Sequence, residues 1–137
     1  MEAKSYVLDS YAVLAFLGGE NGGDQVREFL REALAGRCQL FMSTVNLGEV
    51  LYITERERGL PKAQEVLARI DELPIRVIDA TRAHTLTAAH IKARWSIAYA
   101  DCFAVALAKL KGAKIVTGDP EFKQVASIIP VVWLEAK

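Results

Sequence analysis

The sequence predicts an α/β fold built on a mostly parallel sheet. Short apolar runs alternate along the chain with longer stretches of helical periodicity, which is typical of strands joined by crossover helices. Glycine or proline stands at several of the boundaries between these segments. A length of 137 residues, with 52% hydrophobic and 25% charged residues, suits a single packed domain spanning 1–137.

The first half of the chain is predicted to contain two strands and four helices. Four of the six residues in 18–23 are glycine, which makes this segment a loop. Either Ser43 or Thr44 caps the third helix, which stops at Gly59, and Pro61 suits the first turn of the fourth. The predicted strands are 5–8 and 40–42, and the predicted helices are 11–17, 24–35, a segment running from the Ser43 or Thr44 cap to 58, and 61–72.

The second half is predicted to contain three strands and two helices. Gly112 stands where a helix C-terminus favours glycine, and Pro120 begins a short helical turn. The predicted strands are 75–78, 114–117 and 131–134, the helices are 81–94 and 99–111, and the turn is 120–124.

Four acidic residues lie next to apolar segments, where carboxylates are costly unless something pairs with them. Asp9 ends the run 6–8, and Asp119 follows the run 115–118. Glu49 lies within the apolar stretch 45–53, and Asp101 opens the run 102–108. A hard divalent cation is the usual partner of several such acids.

The predicted fold brings these acids towards one place. Ligands of open parallel sheets bind beyond the carboxyl ends of the strands, which is where Asp9 and Asp119 stand. Pro120 favours an extended backbone at Asp119 and so holds it near the strand end. Glu49 shares a helix face with Asn46, and small residues on the Asp101 face allow a close approach to the sheet.

Converging carboxylates indicate metal-dependent phosphoryl transfer. Two unit charges about 4 Å apart repel by roughly 4 kcal/mol at an effective dielectric near 20. Mg²⁺ or Mn²⁺ relieves this repulsion, polarises a phosphodiester and activates water, so no histidine or lysine base is needed.

Four segments together resemble the PIN-domain ribonucleases, and most closely the VapC-type toxins of toxin–antitoxin pairs. They match in order and spacing over nearly the whole chain. The segments are Val7-Leu8-Asp9-Ser10, Asn46 with Glu49, residues 100–108 around Asp101, and residues 115–122 around Asp119.

This resemblance implies a three-layer α/β/α sandwich and cleavage of single-stranded RNA with Mg²⁺ or Mn²⁺. It carries the metal-binding and catalytic roles to Asp9, Glu49, Asp101 and Asp119. It also implies that Ser10, Asn46 and Thr117 support the acids, although Ser10 stands where threonine is frequent. Finally, it implies a homodimer that a cognate antitoxin inhibits by covering the active site.

Other interpretations of the acids remain open from sequence. Asp9 and Asp101 suit helix caps, Glu49 suits a solvated helix surface, and Asp119 with Pro120 suits a turn. Asp79 also follows an apolar run, but its position before a helix predicts a cap or turn.

Three alternative functions follow from the same features. The first is a PIN nuclease of RNA maturation that has no antitoxin. The second is a non-catalytic metal or phosphate sensor, which needs adjacent acids after the first strand and a lysine at the end of the last; Asp9-Ser10 and Lys114 do not match. The third, a haloacid-type phosphatase, needs an Asp-x-Asp pair that Asp9-Ser10-Tyr11 lacks.

Composition excludes several other classes. Lys plus Arg and Asp plus Glu both number 17, which argues against a protein that coats nucleic acid by bulk charge. Cys38 and Cys102 lack zinc-site spacing and are expected to be buried thiols of a reducing compartment. No run approaches the roughly 18 apolar residues of a membrane span, so a cytoplasmic protein is expected.

Overall fold

The computed structural model describes residues 4–135, in which five strands form one sheet with helices on both faces. The strands are β1 (Lys4–Leu8), β2 (Cys38–Ser43), β3 (Arg76–Ile78), β4 (Lys114–Thr117) and β5 (Val131–Trp133). The helices are α1 (Ser10–Leu17), α2 (Gly23–Leu34), α3 (Thr44–Arg58), α4 (Leu60–Glu72), α5 (Arg82–Arg94) and α6 (Tyr99–Lys111), and a 3₁₀ helix spans Pro120–Val125. The predicted domain, 1–137, includes residues 1–3 and 136–137, which lie outside the described part.

The strand order across the sheet is β3-β2-β1-β4-β5, and every neighbouring pair is parallel. The predicted α/β fold is therefore confirmed. Strands β1 and β4 are neighbours at the centre, with Leu8 paired to Val116. The residues that follow these two strands consequently emerge side by side at the same edge of the sheet.

The alternating side chains of the central strands divide the core into two layers. Val7 of β1 and Ile115 of β4 face a cluster that includes buried residues of α5 and α6. Leu8 and Val116, one position along, face a cluster that includes residues of α1, α2, α3 and α4. This period of two is inherent to a β-strand, and burial on both faces explains why the central strands are apolar throughout.

Helix α6 is buried along most of its length, because every residue from 101 to 108 is inaccessible or nearly so. Alanines at 104, 106 and 108 let the helix backbone approach the sheet closely. Asp101 lies in the first turn of this helix and is therefore drawn into the interior with it.

The helix caps distinguish between interpretations that the sequence left open. Ser43 is the cap of α3 and accepts a hydrogen bond from the amide of Val45. Thr44 instead accepts from the amide of Ala80, which attaches the start of α3 to the segment after β3. The predicted capping role of Asp79 is wrong: this residue is exposed, and Thr81 caps α5.

Two further expectations concern cysteines and membranes. Cys38 and Cys102 are both buried free thiols, as expected. Within residues 4–135, no helix combines the length and apolar character needed to cross a bilayer.

Candidate functional site

Asp9 follows β1 directly and is buried, with 1% of its surface exposed. It caps α1, since its Oδ1 accepts a hydrogen bond of 2.9 Å from the amide of Ala12. Its Oδ2 accepts a hydrogen bond of 2.5 Å from the hydroxyl of Thr117. Burial raises the pKa of Asp9 to about 7, and the charges of Asp119 and Glu49 add to this rise. The two hydrogen bonds lower the pKa and offset only part of it.

Thr117 connects the ends of the two central strands. Its hydroxyl donates to Asp9 and also accepts a hydrogen bond of 3.0 Å from the amide of Asp119. The carboxylate of Asp119 in turn accepts a hydrogen bond of 2.9 Å from the amide of Glu121 and so caps the 3₁₀ helix. The turn chemistry considered for Asp119 is therefore present, and it fixes the carboxylate close to Asp9.

Ser10 connects the start of α1 to α3. Its hydroxyl donates a hydrogen bond of 2.5 Å to Oε1 of Glu49, although the two residues are 39 positions apart. A carboxylate held by a neighbouring hydroxyl has few available rotamers, so Glu49 is oriented towards the end of β1. The solvated interpretation of Glu49 does not account for this contact.

Asn46, one turn before Glu49, is fully buried and connects α3 to α6. Its Nδ2 donates a hydrogen bond of 3.1 Å to the carbonyl of Ala100, the residue before Asp101. Its Oδ1 is buried and finds no donor among residues 4–135. A buried acceptor without a donor is costly, so this oxygen is suited to a water or ligand at the site.

Asp101 has 6% of its surface exposed and does not cap its helix, because Ala98 occupies that position. Burial raises the pKa of Asp101 to about 7, and the charges of Asp9, Asp119, Glu49 and Glu121 add to the effect. The four predicted acids are thus near enough to repel one another. Carboxylates this close are stabilised in their charged form by a nearby positive charge.

The cluster is nevertheless not closed around a point. Among residues 4–135, no three His, Cys, Asp or Glu side chains are placed to ligate one ion together. The donor set still fits a hard cation, because Mg²⁺ keeps several waters and typically takes only one or two carboxylates directly. Asp9, Glu49, Asp101 and Asp119 are the residues able to hold such an ion.

Two neighbours of the site were not predicted from sequence. Glu121 is a fifth acid in this group and the fourth whose charge acts on Asp101, and its only sequence signal is its place two residues after Asp119. Tyr11, two residues after Asp9, lies against the backbone of Gly118. The sequence does place an aromatic residue close to Asp9 and a glycine next to Asp119. Their contact can be inferred only once β1 and β4 are known to be neighbours.

Two basic side chains that could reach an RNA backbone have partners within the protein. The guanidinium of Arg56 lies 5.1 Å from the ring centre of Tyr52, and Lys92 donates to the carbonyl of Ile97 at 2.7 Å. A cleft of about 350 Å³ lies between α1, α3 and α4, and another of about 620 Å³ lies near Lys4 and Lys111. Neither cleft is lined by any of the four acids.

Comparison with known proteins places these features in a family. Residues 6–128 match the family model of the PIN domain, which covers most of the chain and all four acids. No curated protein sequence matches.

Solved structures share the fold at low sequence identity. The VapBC2 complex of Rickettsia felis, bound to a promoter DNA fragment, has a chain with a TM-score of 0.75 and 19% identity, covering 96% of this chain and 99% of that one. A DNA-bound VapBC complex of Salmonella typhimurium gives a TM-score of 0.72, 18% identity and coverages of 96% and 98%. VapC20 of Mycobacterium tuberculosis is described as a toxin that cleaves the sarcin–ricin loop. Its structure gives a TM-score of 0.70 and 18% identity, covering 90% of this chain and 95% of that one.

Proposed function

The chain belongs to the PIN domain family, and from this premise we propose that it is a metal-dependent endoribonuclease that cleaves single-stranded RNA. We further propose that it is the toxin of a VapBC-type pair. The observation that carries the proposal is the group of mutually repelling acids at the ends of β1 and β4, two of which have a pKa raised to about 7.

Each acid has a proposed role that follows from its contacts. Asp9, Glu49, Asp101 and Asp119 hold Mg²⁺ or Mn²⁺, some directly and others through water. When bound, the ion polarises the phosphodiester and lowers the pKa of a water molecule.

The supporting residues fix the direction of the acids. Thr117 holds one oxygen of Asp9 and leaves the carboxylate no freedom to rotate away, while Ser10 does the same for Glu49. Asn46 fixes α3 against the start of α6, so Glu49 and Asp101 keep their relative positions. Preorganisation of this kind is what a phosphoryl-transfer site requires, since most of its rate enhancement comes from positioning and electrostatics.

The proposed partners rest on the structural neighbours. Several of these are toxin–antitoxin complexes, so we propose a cognate antitoxin that covers the acids. The resemblance to VapC-type toxins is the basis for also proposing a homodimer, and we propose a cytoplasmic location. Co-expression with the product of an adjacent small reading frame, followed by light scattering, tests the antitoxin and the homodimer: a stable complex that no longer cleaves RNA is expected. Monomeric protein that is active in the presence of every such product would contradict both.

The decisive experiment is cleavage of defined transfer and ribosomal RNAs, including the sarcin–ricin loop, with Mg²⁺ or Mn²⁺. Asp9→Asn and Asp101→Asn should abolish cleavage while circular dichroism stays unchanged, and chelation should abolish it in the wild type. Asp79→Asn, which changes an exposed acid outside the site, is the matched control. Folded Asp9→Asn or Asp101→Asn protein that cleaves as fast as the wild type would overturn the proposal.

A further inference from the structure

Tyr11 is a partly exposed aromatic residue close to the end of β1 that carries Asp9. It lies in the first turn of α1, between the buried residues Ser10 and Ala12, yet 37% of its own surface is exposed. Helical side chains project towards the helix N-terminus, which here is Asp9. The ring is therefore directed to the same edge of the sheet as the acids.

The backbone of Gly118, directly after β4, contacts the ring on one side. A Cβ atom added to Gly118 would lie 2.3 Å from Cε1 of Tyr11, 2.7 Å from its Cζ and 2.9 Å from its hydroxyl. Gly118 does not have a positive φ, so what it provides is space for the ring rather than a special backbone conformation. Since Gly118 and Asp119 have Cα atoms about 3.8 Å apart, the phenol lies beside the acid cluster.

The region beside the ring is an open cleft. Tyr11, Leu14 and Ala15 form one wall from a single face of α1, and Glu20 and Asn21 form the other from the loop that follows, enclosing about 260 Å³. The helix side of the cleft is therefore mostly apolar, and the loop side carries the carboxylate of Glu20 and the amide of Asn21. Such a cleft is suited to a flat, uncharged ring with hydrogen-bonding edges.

We propose that Tyr11 is a stacking platform for a nucleobase next to the cleaved phosphodiester of the RNA. This inference rests on the proposed nuclease function and adds the subsite that holds one substrate base. A phosphate is disfavoured in the cleft, because none of the five lining residues is basic and Glu20 is negative. A base stacks on an aromatic side chain without regard to charge and directs its polar edge to the loop side of the cleft.

The test is a set of short oligoribonucleotides, each carrying one abasic nucleotide at a different position around the cleavage site. Wild-type protein should lose roughly 5- to 150-fold in kcat/KM at one position, which is the range expected for one base–aromatic stack. Tyr11→Leu should show a similar loss on the intact RNA and no further loss at that position. Tyr11→Phe, which keeps the ring, should retain the selective loss at that one abasic position.

A matched control is Leu110→Ala. Leu110 is 50% exposed and lies nine residues along α6 from Asp101, which is about 14 Å. It should leave the position dependence unchanged. A merely structural role of Tyr11 would make the loss in Tyr11→Leu independent of the abasic position, and that outcome overturns the platform.

Equilibrium binding of the same oligonucleotides by fluorescence anisotropy separates this inference from the nuclease proposal. Binding that depends on Tyr11 and on one base, without any cleavage, supports the platform and removes the nuclease. If RNA is cleaved, but the loss of kcat/KM caused by Tyr11→Leu multiplies with the loss caused by the abasic nucleotide at every position, the stacking platform is overturned and the nuclease proposal stands. Neither binding nor cleavage by the wild type overturns both.

Discussion

Asp101→Asn should make the metal-free protein more stable while it abolishes cleavage. The pKa of Asp101 rises from 3.8 to about 7 on folding, which corresponds to about 4 kcal/mol of unfavourable free energy once the carboxyl is ionised. Burial and four neighbouring carboxylates all raise the pKa of Asp101. Asp101 is a better choice for this test than Asp9, because a substitution at Asp9 would also remove hydrogen bonds. Burying an amide in its place costs part of this gain, so a net stabilisation of about 1–3 kcal/mol is expected.

The dependence on pH follows from the direction of the shift. The folded state binds the proton more tightly than the unfolded state, so wild-type stability is lost as pH rises from about 4 to about 7. Asparagine does not titrate. The advantage of Asp101→Asn should therefore be greatest at about pH 8 and less than half as large at about pH 5.

Urea denaturation in the presence of a chelator measures the effect at both pH values. Asp79→Asn is the control, because it removes one exposed charge outside the cluster. If Asp101→Asn were no more stable than the wild type at about pH 8, or if its gain did not vary with pH, Asp101 would not be the repelled, buried carboxylate described above.

Three further outcomes are expected. Mg²⁺ or Mn²⁺ should raise the Tm of the wild type more at about pH 8 than at about pH 5, because carboxyl ligands must lose their protons before they bind the ion. Scanning fluorimetry measures this shift, and an equally large metal-induced shift in Asp101→Asn would contradict the assigned site. Thr117→Val should lower the free energy of unfolding by about 1–3 kcal/mol, because it leaves Asp9 short of a buried donor, and Thr117→Ser should recover most of this loss in urea titrations. Ser10→Ala should reduce cleavage about tenfold by releasing Glu49, with stability changed by less than about 1 kcal/mol; Ser10→Thr keeps the hydroxyl, and loss of activity there would refute this role.

The fold was predictable because its signals are local. Apolar runs of strand length, Gly112 at the end of α6 and Pro61 in the first turn of α4 each specify an element without knowledge of the rest. The errors fall where two residues compete for one local role. Asp79 and Thr81 both suit a helix cap, and only the backbone path after β3 decides that Thr81 is used.

The candidate site was predictable in its acids and less so in its surroundings. Asp9 and Asp101 attract attention because carboxylates rarely border apolar runs, which is a property of the sequence itself. The contacts of Ser10 with Glu49, and of Tyr11 with Gly118, join segments far apart in the chain. No local pattern encodes them, since they depend on how the crossover helices pack.

The placement of β1 beside β4 has a consequence for the timing of activity. Asp9 is made early, but the hydroxyl that orients it belongs to a residue 108 positions later. A nascent chain therefore lacks this half of the pocket until Thr117 has been synthesised and β4 has packed beside β1. Any activity that depends on an oriented Asp9 must wait for that pairing.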